Sequence, residues 1–424
     1  MPRRAGDVPV GFPGHRTEAM SRKTHPWGVS PWTVGFRPTA AERLPDQVDF
    51  AMVGGGFTGL SAAAWLRKLA PEKSVLVLEA NSLGEGASGR TGGLVLADTA
   101  GGRLPGLGDV LAGYKKILRG LRIDGRLELP GVYELGRSNP AKDSPICWND
   151  SGDLRVVRAV PGGAMDPGKV VAGLARAAQR AGAQIMEHAE VDSIEYSNPP
   201  SLRVRRAAHG RVQRKEIRAG QILLATNAFS LELSGLDGWT QPKLTLALAT
   251  APLSSAQLKA IGLSSRRPFY TLDLPYLWGR LLDSNGIVFG AGLVPMPASI
   301  ASLFTKPNQS AREFAAPNLY RFDVRRGEAA ERLRWLDSRV RHLHPALKSV
   351  RITHRWAGPI LFTEGMRPIF RHDPRSKNIM VLAGYNGHGV ALSVYLGRWA
   401  AEALLSRRPL PRWDSSGTED SSHA

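Results

Sequence analysis

Gly54-Gly55-Gly56-Phe57-Thr58-Gly59 is a G-x-G-x-x-G run. In such a run the first glycine permits a tight turn, the second lets a pyrophosphate approach the backbone, and the third lets a helix pack close to a strand. Gly54, Gly56 and Gly59 hold those three places, and Phe57 and Thr58 open a helix whose free amides and dipole attract phosphate. Downstream, Glu79-Ala80 supplies a carboxylate suited to the two ribose hydroxyls of an adenosine. That carboxylate repels a 2′-phosphate and so disfavours NADP. The alternative is a glycine turn with no ligand, which would not need a strand before it, a helix after it and a second strand ending in an acid.

Those elements are present. Residues 48–53 read as a buried strand, 60–69 as a helix and 74–79 as a second strand. This βαβ unit implies a parallel sheet with a right-handed crossover. A helix is expected at 166–181, capped by Asp166 with Pro167 at its first position. A strand at 183–188 follows, then an arginine-studded hairpin at 201–218 turning near His209-Gly210, then a buried strand at 221–226. Strands at 244–253 and 287–292 belong to a different, antiparallel sheet, and a helix covers 328–343. A late strand at 378–383 leads through a glycine-rich turn at 384–388 into a helix at 389–405. The first 47 residues lack periodicity, Met20 is an alternative start, and the aromatic segment 25–32 is expected to wrap onto the body. Residues 415–424 form a polar tail, and there are no internal repeats.

Composition bounds the class. The 424 residues are 42% hydrophobic and 22% charged, a globular balance that excludes a disordered, collagen-like or coiled-coil chain. A single cysteine, Cys147, excludes a disulfide framework and an all-cysteine zinc site. No apolar run reaches the ~18 residues of a membrane helix, and the start lacks a hydrophobic leader, so a cytoplasmic location is expected. The net charge of +19 would attract nucleic acid, an anionic surface or acidic substrates. Its arginines are scattered, with clusters at 203–218 and 321–351 and no RNA-binding signature, which fits an arginine-rich surface.

The choice of dinucleotide turns on a second glycine-rich loop, Gly86-Ala87-Ser88-Gly89-Arg90-Thr91-Gly92-Gly93. A simple NAD dehydrogenase does not need one there; a flavin protein does. This stretch resembles the FAD-dependent amine and amino-acid oxidases, the D-amino-acid oxidase, glycine oxidase and sarcosine oxidase superfamily, and within it the bacterial gamma-glutamylputrescine oxidase-like branch. Arg355-Trp356-Ala357-Gly358 resembles the family's Trp-Ala-Gly turn near the flavin, and Gly384-Tyr385-Asn386-Gly387-His388-Gly389-Val390 its turn before the last helix. That turn's amides would face the flavin edge where negative charge gathers, with His388 either a flavin neighbour or a spacer. The resemblance carries adenine recognition to Val191 and cofactor packing to Ala225-Thr226. The family's covalent attachments have no counterpart, since Cys147 lies outside these segments, so noncovalent FAD is implied. Pro359-Ile360 and Glu364-Gly365-Met366-Arg367-Pro368-Ile369-Phe370 depart from the family pattern and put its carboxylate site in question.

The resemblance implies a mixed α/β fold: a Rossmann-like FAD domain (47–105, 151–240 and 352–408) and a mainly antiparallel substrate domain (106–150 and 241–351), with an arm at 1–46 and a tail at 409–424. Strand alternation puts Tyr276, Trp278 and Arg280 on one face, an aromatic wall with one arginine that suits an amine bearing a distant carboxylate. Ordinary core aromatics beside a surface arginine are the alternative. Trp356 and Tyr385 would complete the cage. The implied reaction oxidises a C–N bond of a small amine or amino acid. The neutral amine loses its α-hydrogen as hydride to flavin N5, the imine hydrolyses, and O2 reoxidises the flavin. No acid–base dyad is needed, and no residue is assigned as catalytic. Alternatives are a dehydrogenase with another electron acceptor, a flavin oxidase acting on a modified tRNA, and a noncatalytic flavin-binding subunit.

Overall fold

The structure, a computed structural model, describes residues 26–39, 43–137, 143–208, 210–236, 240–291 and 323–413. The alternative start at Met20, His209, residues 292–322 of the expected substrate domain and the tail from 414 lie outside the described residues.

In chain order the strands are β1 (Gln47–Val53), β2 (Val75–Leu78), β3 (Leu94–Leu96), β4 (Val132–Gly136), β5 (Cys147–Asn149), β6 (Asp153–Val160), β7 (Gly162–Ala164), β8 (Gln184–Met186), β9 (Ala189–Glu195), β10 (Ser201–Ala208), β11 (Arg211–Leu224), β12 (Gln241–Thr250), β13 (Phe269–Thr271), β14 (Trp278–Leu281), β15 (Ile287–Ala291), β16 (Ile352–Phe362), β17 (Ile369–Asp373) and β18 (Ser376–Ala383). The helices are α1 (Phe57–Leu69), α2 (Val110–Leu121), α3 (Pro167–Arg180), the short α4 (Leu231–Ser234) and α5 (Ser255–Ala260), α6 (Gly327–Leu343) and α7 (Gly389–Leu404).

The first sheet runs β17-β18-β11-β1-β2-β8. Its inner strands are parallel, with Phe50 beside Val75 and Ile222 beside Ile379. All four residues of β2 are buried, as expected for a parallel strand covered on both faces. Helix α1 is buried from Phe57 to Leu66 because α3 and α7 both pack on it. The second sheet runs β16-β12-β15-β14-β13-β4-β6-β5 and is antiparallel except where β13 meets β4. One buried cluster joins the two sheets, with Ile222 and Val381 from the first and Leu246, Phe269 and Phe289 from the second. The fold is therefore mixed α/β, a parallel Rossmann-like sheet with a mostly antiparallel companion.

Two expectations are corrected. The second arm of the hairpin and the buried strand after it are one continuous strand, β11, which pairs antiparallel with β10 and parallel with β1. Arg355-Trp356-Ala357-Gly358 is not a turn but lies within β16, paired to β12 from Gln241↔Phe362 to Thr250↔Ile352. Within segments 151–240 and 352–408, β6 and β16 hydrogen-bond into the second sheet.

The cap of α3 matches the sequence reading: the Asp166 side chain accepts from Lys169 N at 2.9 Å, and Pro167 occupies the first turn. Replacing a capping aspartate by alanine costs about 1 kcal/mol. Asp166→Ala should lower the unfolding free energy by about that amount, while Asp166→Asn, which keeps the acceptor, should retain most of it; denaturant titration of the two variants checks this.

Candidate active site

A cavity of ≈ 1230 Å³ opens where β1, β2 and β11 end and the second sheet begins. Its position at the carboxyl ends of parallel strands is where open α/β sheets bind ligands. Gly54 takes φ +111°, and a Cβ there would fall 2.7 Å from the Ala225 carbonyl oxygen. A Cβ on Gly59 would lie 2.1 Å from the Gly54 oxygen, so only glycine lets α1 start this close to the strands. Gly54, Gly56, Phe57 and Thr58 line the cavity; Gly59 shapes it from behind.

Two helices open into this space. The first residue before α1 is Gly56 and before α7 is His388; neither side chain caps its helix, and neither first turn carries an acid. Both amide ends are thus available to an anion. The Phe57 amide donates to Ser88 Oγ at 2.9 Å. Thr58 Oγ1 and Tyr385 OH lie 2.6 Å apart, and Ser61 Oγ donates to the Val394 carbonyl at 2.7 Å, so the helices are joined beside their open ends. Burial pushes the Tyr385 phenol up, against the opposing Thr58 bond, and pushes the His388 imidazole down, favouring its neutral form. Gly387, Gly389 and Val390 line the same wall.

Glu79 lies on the cavity floor beside Ala80. Its Oε2 accepts from Gly55 N at 2.8 Å and its Oε1 from Asn81 N at 2.9 Å. Burial outweighs these bonds and raises its pKa to about 7. Val191, Ala225, Thr226 and Gly358 also face the cavity.

From the second glycine-rich loop, Ala87, Ser88, Arg90, Thr91 and Gly92 reach the cavity, whereas Gly89 and Gly93 form its back. The buried Arg90 guanidinium donates to the Glu85 carboxylate at 2.7 Å and to the Gly28 carbonyl at 3.0 Å. The Arg90 carbonyl accepts from Trp356 Nε1 at 2.8 Å. The aromatic segment before β1 straps the loop: Ser30 Oγ donates to Gly89 O and Trp32 Nε1 to Thr91 O.

On the substrate side, Tyr276, Trp278 and Tyr385 line the cavity. The Trp278 indole lies between two glycines, where Cβ atoms on Gly290 and Gly92 would approach it to 1.9 and 2.2 Å. Two expected cage members do not line it. Arg280 is buried behind the wall, where its Nη1 donates to Met165 O at 2.7 Å, its guanidinium sits 4.8 Å from the Trp32 ring, and burial lowers its pKa to about 10. Trp356 is fully buried and fixes the Arg90 backbone instead. Tyr276 precedes β14, so strand alternation did not apply to it.

The sequence reading passed over Lys243 and Arg339 and gave Tyr270 no role beyond its place in the second sheet; all three line the cavity. Tyr270 OH donates to Glu134 Oε1 at 2.5 Å. Arg339 clasps the buried Asp150 at 2.8 and 2.6 Å and also binds the Pro275 and Tyr276 carbonyls, bracing the loop that carries Tyr276. The arginines of the hairpin are partly neutralised in place: Arg203 pairs with Glu195, and Arg205 with Glu190 and Asp192. Among the described residues no helix is long and apolar enough to cross a membrane, and no cluster of ligating side chains suits a metal.

Open helix ends at the carboxyl edge of a parallel sheet, covered by a second sheet that supplies aromatic residues, define a dinucleotide-binding oxidoreductase of the two-sheet kind. The chain belongs to the DAO family of FAD-dependent oxidoreductases, whose profile it matches over residues 49–403. It is similar to the gamma-glutamylputrescine oxidoreductase of Escherichia coli, with 25% identity over 407 residues, 84% of this chain and 83% of the relative. Among solved structures it resembles glycine oxidase from Geobacillus kaustophilus, with a TM-score of 0.59, 18% identity and coverage of 86% of this chain and 96% of the other. It also resembles L-amino acid deaminase from Proteus myxofaciens, with a TM-score of 0.62, 14% identity and coverage of 88% and 93%. The family implies FAD, and the glycine cradle, the open helix ends and the Glu79 carboxylate fit that cofactor.

The raised pKa of Glu79 has a stability consequence. Between its ordinary value of 4.5 and about 7 the folded protein holds a proton that the unfolded chain releases. Stability therefore falls as pH rises through this window, by a few kcal/mol at about 1.4 kcal/mol per unit. In cofactor-stripped protein, Glu79→Gln should flatten the decline of the thermal midpoint between pH 5 and 7; an unchanged slope would assign it to other groups.

Proposed function

We propose that this protein oxidises a C–N bond of a small amine or amino acid, using noncovalent FAD and passing the electrons to O2. The observation that carries the reading is the pairing of two open helix ends with an aromatic wall in one cavity of a DAO-family chain. The names of the similar proteins, an oxidoreductase of an amine, a glycine oxidase and an L-amino acid deaminase, point to the same donor class. The discontinuous domain division and the cytoplasmic location belong to this proposal as well.

The geometry supports the following roles. The amides of α1 hold the pyrophosphate, with Ser88 fixing the first of them. The Glu79 carboxylate takes the ribose hydroxyls, and Val191 with Ala225-Thr226 encloses the adenosine half. The open end of α7, at Gly387 to Val390, and the loop from Ala87 to Gly92 meet the ring system. Bound FAD supplies the two-electron acceptor for the hydrogen leaving the carbon next to nitrogen. Tyr276, Trp278 and Tyr385 exclude water and favour the neutral amine, whose lone pair assists that loss. Cys147 is exposed and does not line the cavity, which fits noncovalent binding.

The purified protein should be yellow, and acid precipitation should leave the flavin in the supernatant. In the absence of oxygen, one member of a panel of amines and amino acids should bleach it, and air should restore the colour with release of hydrogen peroxide. A side chain on Gly56 would crowd Ser88 Oγ, which lies 2.8 Å from the Cβ position. Gly56→Val should therefore weaken FAD retention by about tenfold or more, the scale of one hydrogen bond to a charged group. A yellow, fully active Gly56→Val protein would refute the cofactor assignment.

A further inference from the structure

This inference rests on the amine-oxidation reading and concerns what else the substrate carries. Strands β12 and β16 turn one row of residues toward the cavity. Gln241, Lys243 and Thr245 stand opposite Phe362, Ile360 and Gly358, and all six line it. Lys243 is the only charged residue in the row. Among the described residues two other cations line the cavity, and both are committed: Arg90 to Glu85 and the Gly28 carbonyl, Arg339 to Asp150 and two further carbonyls. Arg280, the arginine expected to read a carboxylate, lies behind the wall.

Lys243 is different. Among the described residues it makes no ion pair or side-chain hydrogen bond, and its ammonium rests 5.2 Å from the Phe362 ring. Burial pushes its pKa down, and no carboxylate opposes the shift. The acids lining the cavity are engaged elsewhere or exposed: Glu79 with backbone amides, Glu85 with Arg90, Glu190 with Arg205, and Glu364 in solvent. A half-buried ammonium with no partner is costly unless a ligand brings the anion.

We propose that Lys243 binds a carboxylate of the substrate, so that the preferred donor is an amine bearing one acidic group rather than a neutral amine or a polyamine. A lysine is a compact point charge with three donors, which suits a single carboxylate. Position adds a spacing. The rung formed by Thr245 and Gly358 abuts the glycine-rich loop, since a Cβ on Gly358 would lie 3.2 Å from the Arg90 Cβ. Lys243 sits two residues further along β12, about 7 Å at ~3.4 Å per residue. The carboxylate is held away from the loop, at the Phe362 end of the row.

The test uses the holoenzyme. Anaerobic bleaching is measured with straight-chain amines and with the same chains ending in a carboxylate, for the wild type, Lys243→Met and Lys243→Arg. The wild type should prefer the carboxylated partner. Lys243→Met should reduce that preference, the ratio of the two kcat/KM values, by roughly 10- to 100-fold, chiefly through KM, the scale of a hydrogen bond between charged groups. Lys243→Arg should restore most of it. Binding of glutarate, which cannot be oxidised, is read by the flavin absorption shift and should weaken in parallel. Equal use of both amines by the wild type would overturn the proposal, as would a Lys243→Met protein that keeps the preference or loses its flavin. If no amine of either kind bleaches the flavin while glutarate still binds through Lys243, the amine-oxidation reading falls and the anion site stands.

Discussion

A single buried guanidinium sets the shape of the cofactor-facing loop. Arg90 joins the Glu85 carboxylate, the Gly28 carbonyl and, through its own carbonyl, the Trp356 indole. Among the described residues its charge meets the Glu85 carboxylate and further donors go to backbone acceptors, the condition under which a buried ion stabilises rather than strains a fold. Three parts of the chain therefore meet at one residue. The helix ends can face the cavity usefully only because this loop keeps the opposite wall in place.

That wall and the helix ends divide the work by charge. The amide ends of α1 and α7 bring partial positive charge to one side without any ionisable group to titrate. Glu79 places an acid of the floor where backbone amides already bind it. The second sheet contributes mainly apolar and aromatic surface, with Lys243 as its free cation among the described residues. The open helix ends and the aromatic side of the second sheet thus face one space, joined at Tyr385.

Much of the nucleotide half was legible in the sequence because local rules govern it. A strand, Gly54 to Gly59, a helix and Glu79 lie in one continuous βαβ stretch, and backbone sterics leave few residues able to make that turn. The cap at Asp166 was equally local. The substrate half resisted for a physical reason: its strands come from distant segments and pair through register that no local pattern encodes. Alternation was applied through Tyr276, which precedes the strand, and so Arg280 was placed on a wall it does not reach. Trp356 looked like a turn residue beside the ligand because its indole's partner, the Arg90 carbonyl, lies 266 positions away. Lys243 and Thr245 alternate with buried residues on β12, a period-two signal that a strand expected to begin only at residue 244 obscured.

The strap over the glycine-rich loop also orders events in time. Ser30 and Gly89 are 59 positions apart, and Trp356 closes the loop from the far end of the chain. Contacts of such separation carry a large closure entropy and form late. The βαβ unit can assemble early from neighbouring segments, but the loop opposite it takes its shape only after both ends of the chain have arrived. A ligand that binds only this finished arrangement would stabilise it, so occupancy of the cavity and closure of the strap would be thermodynamically coupled.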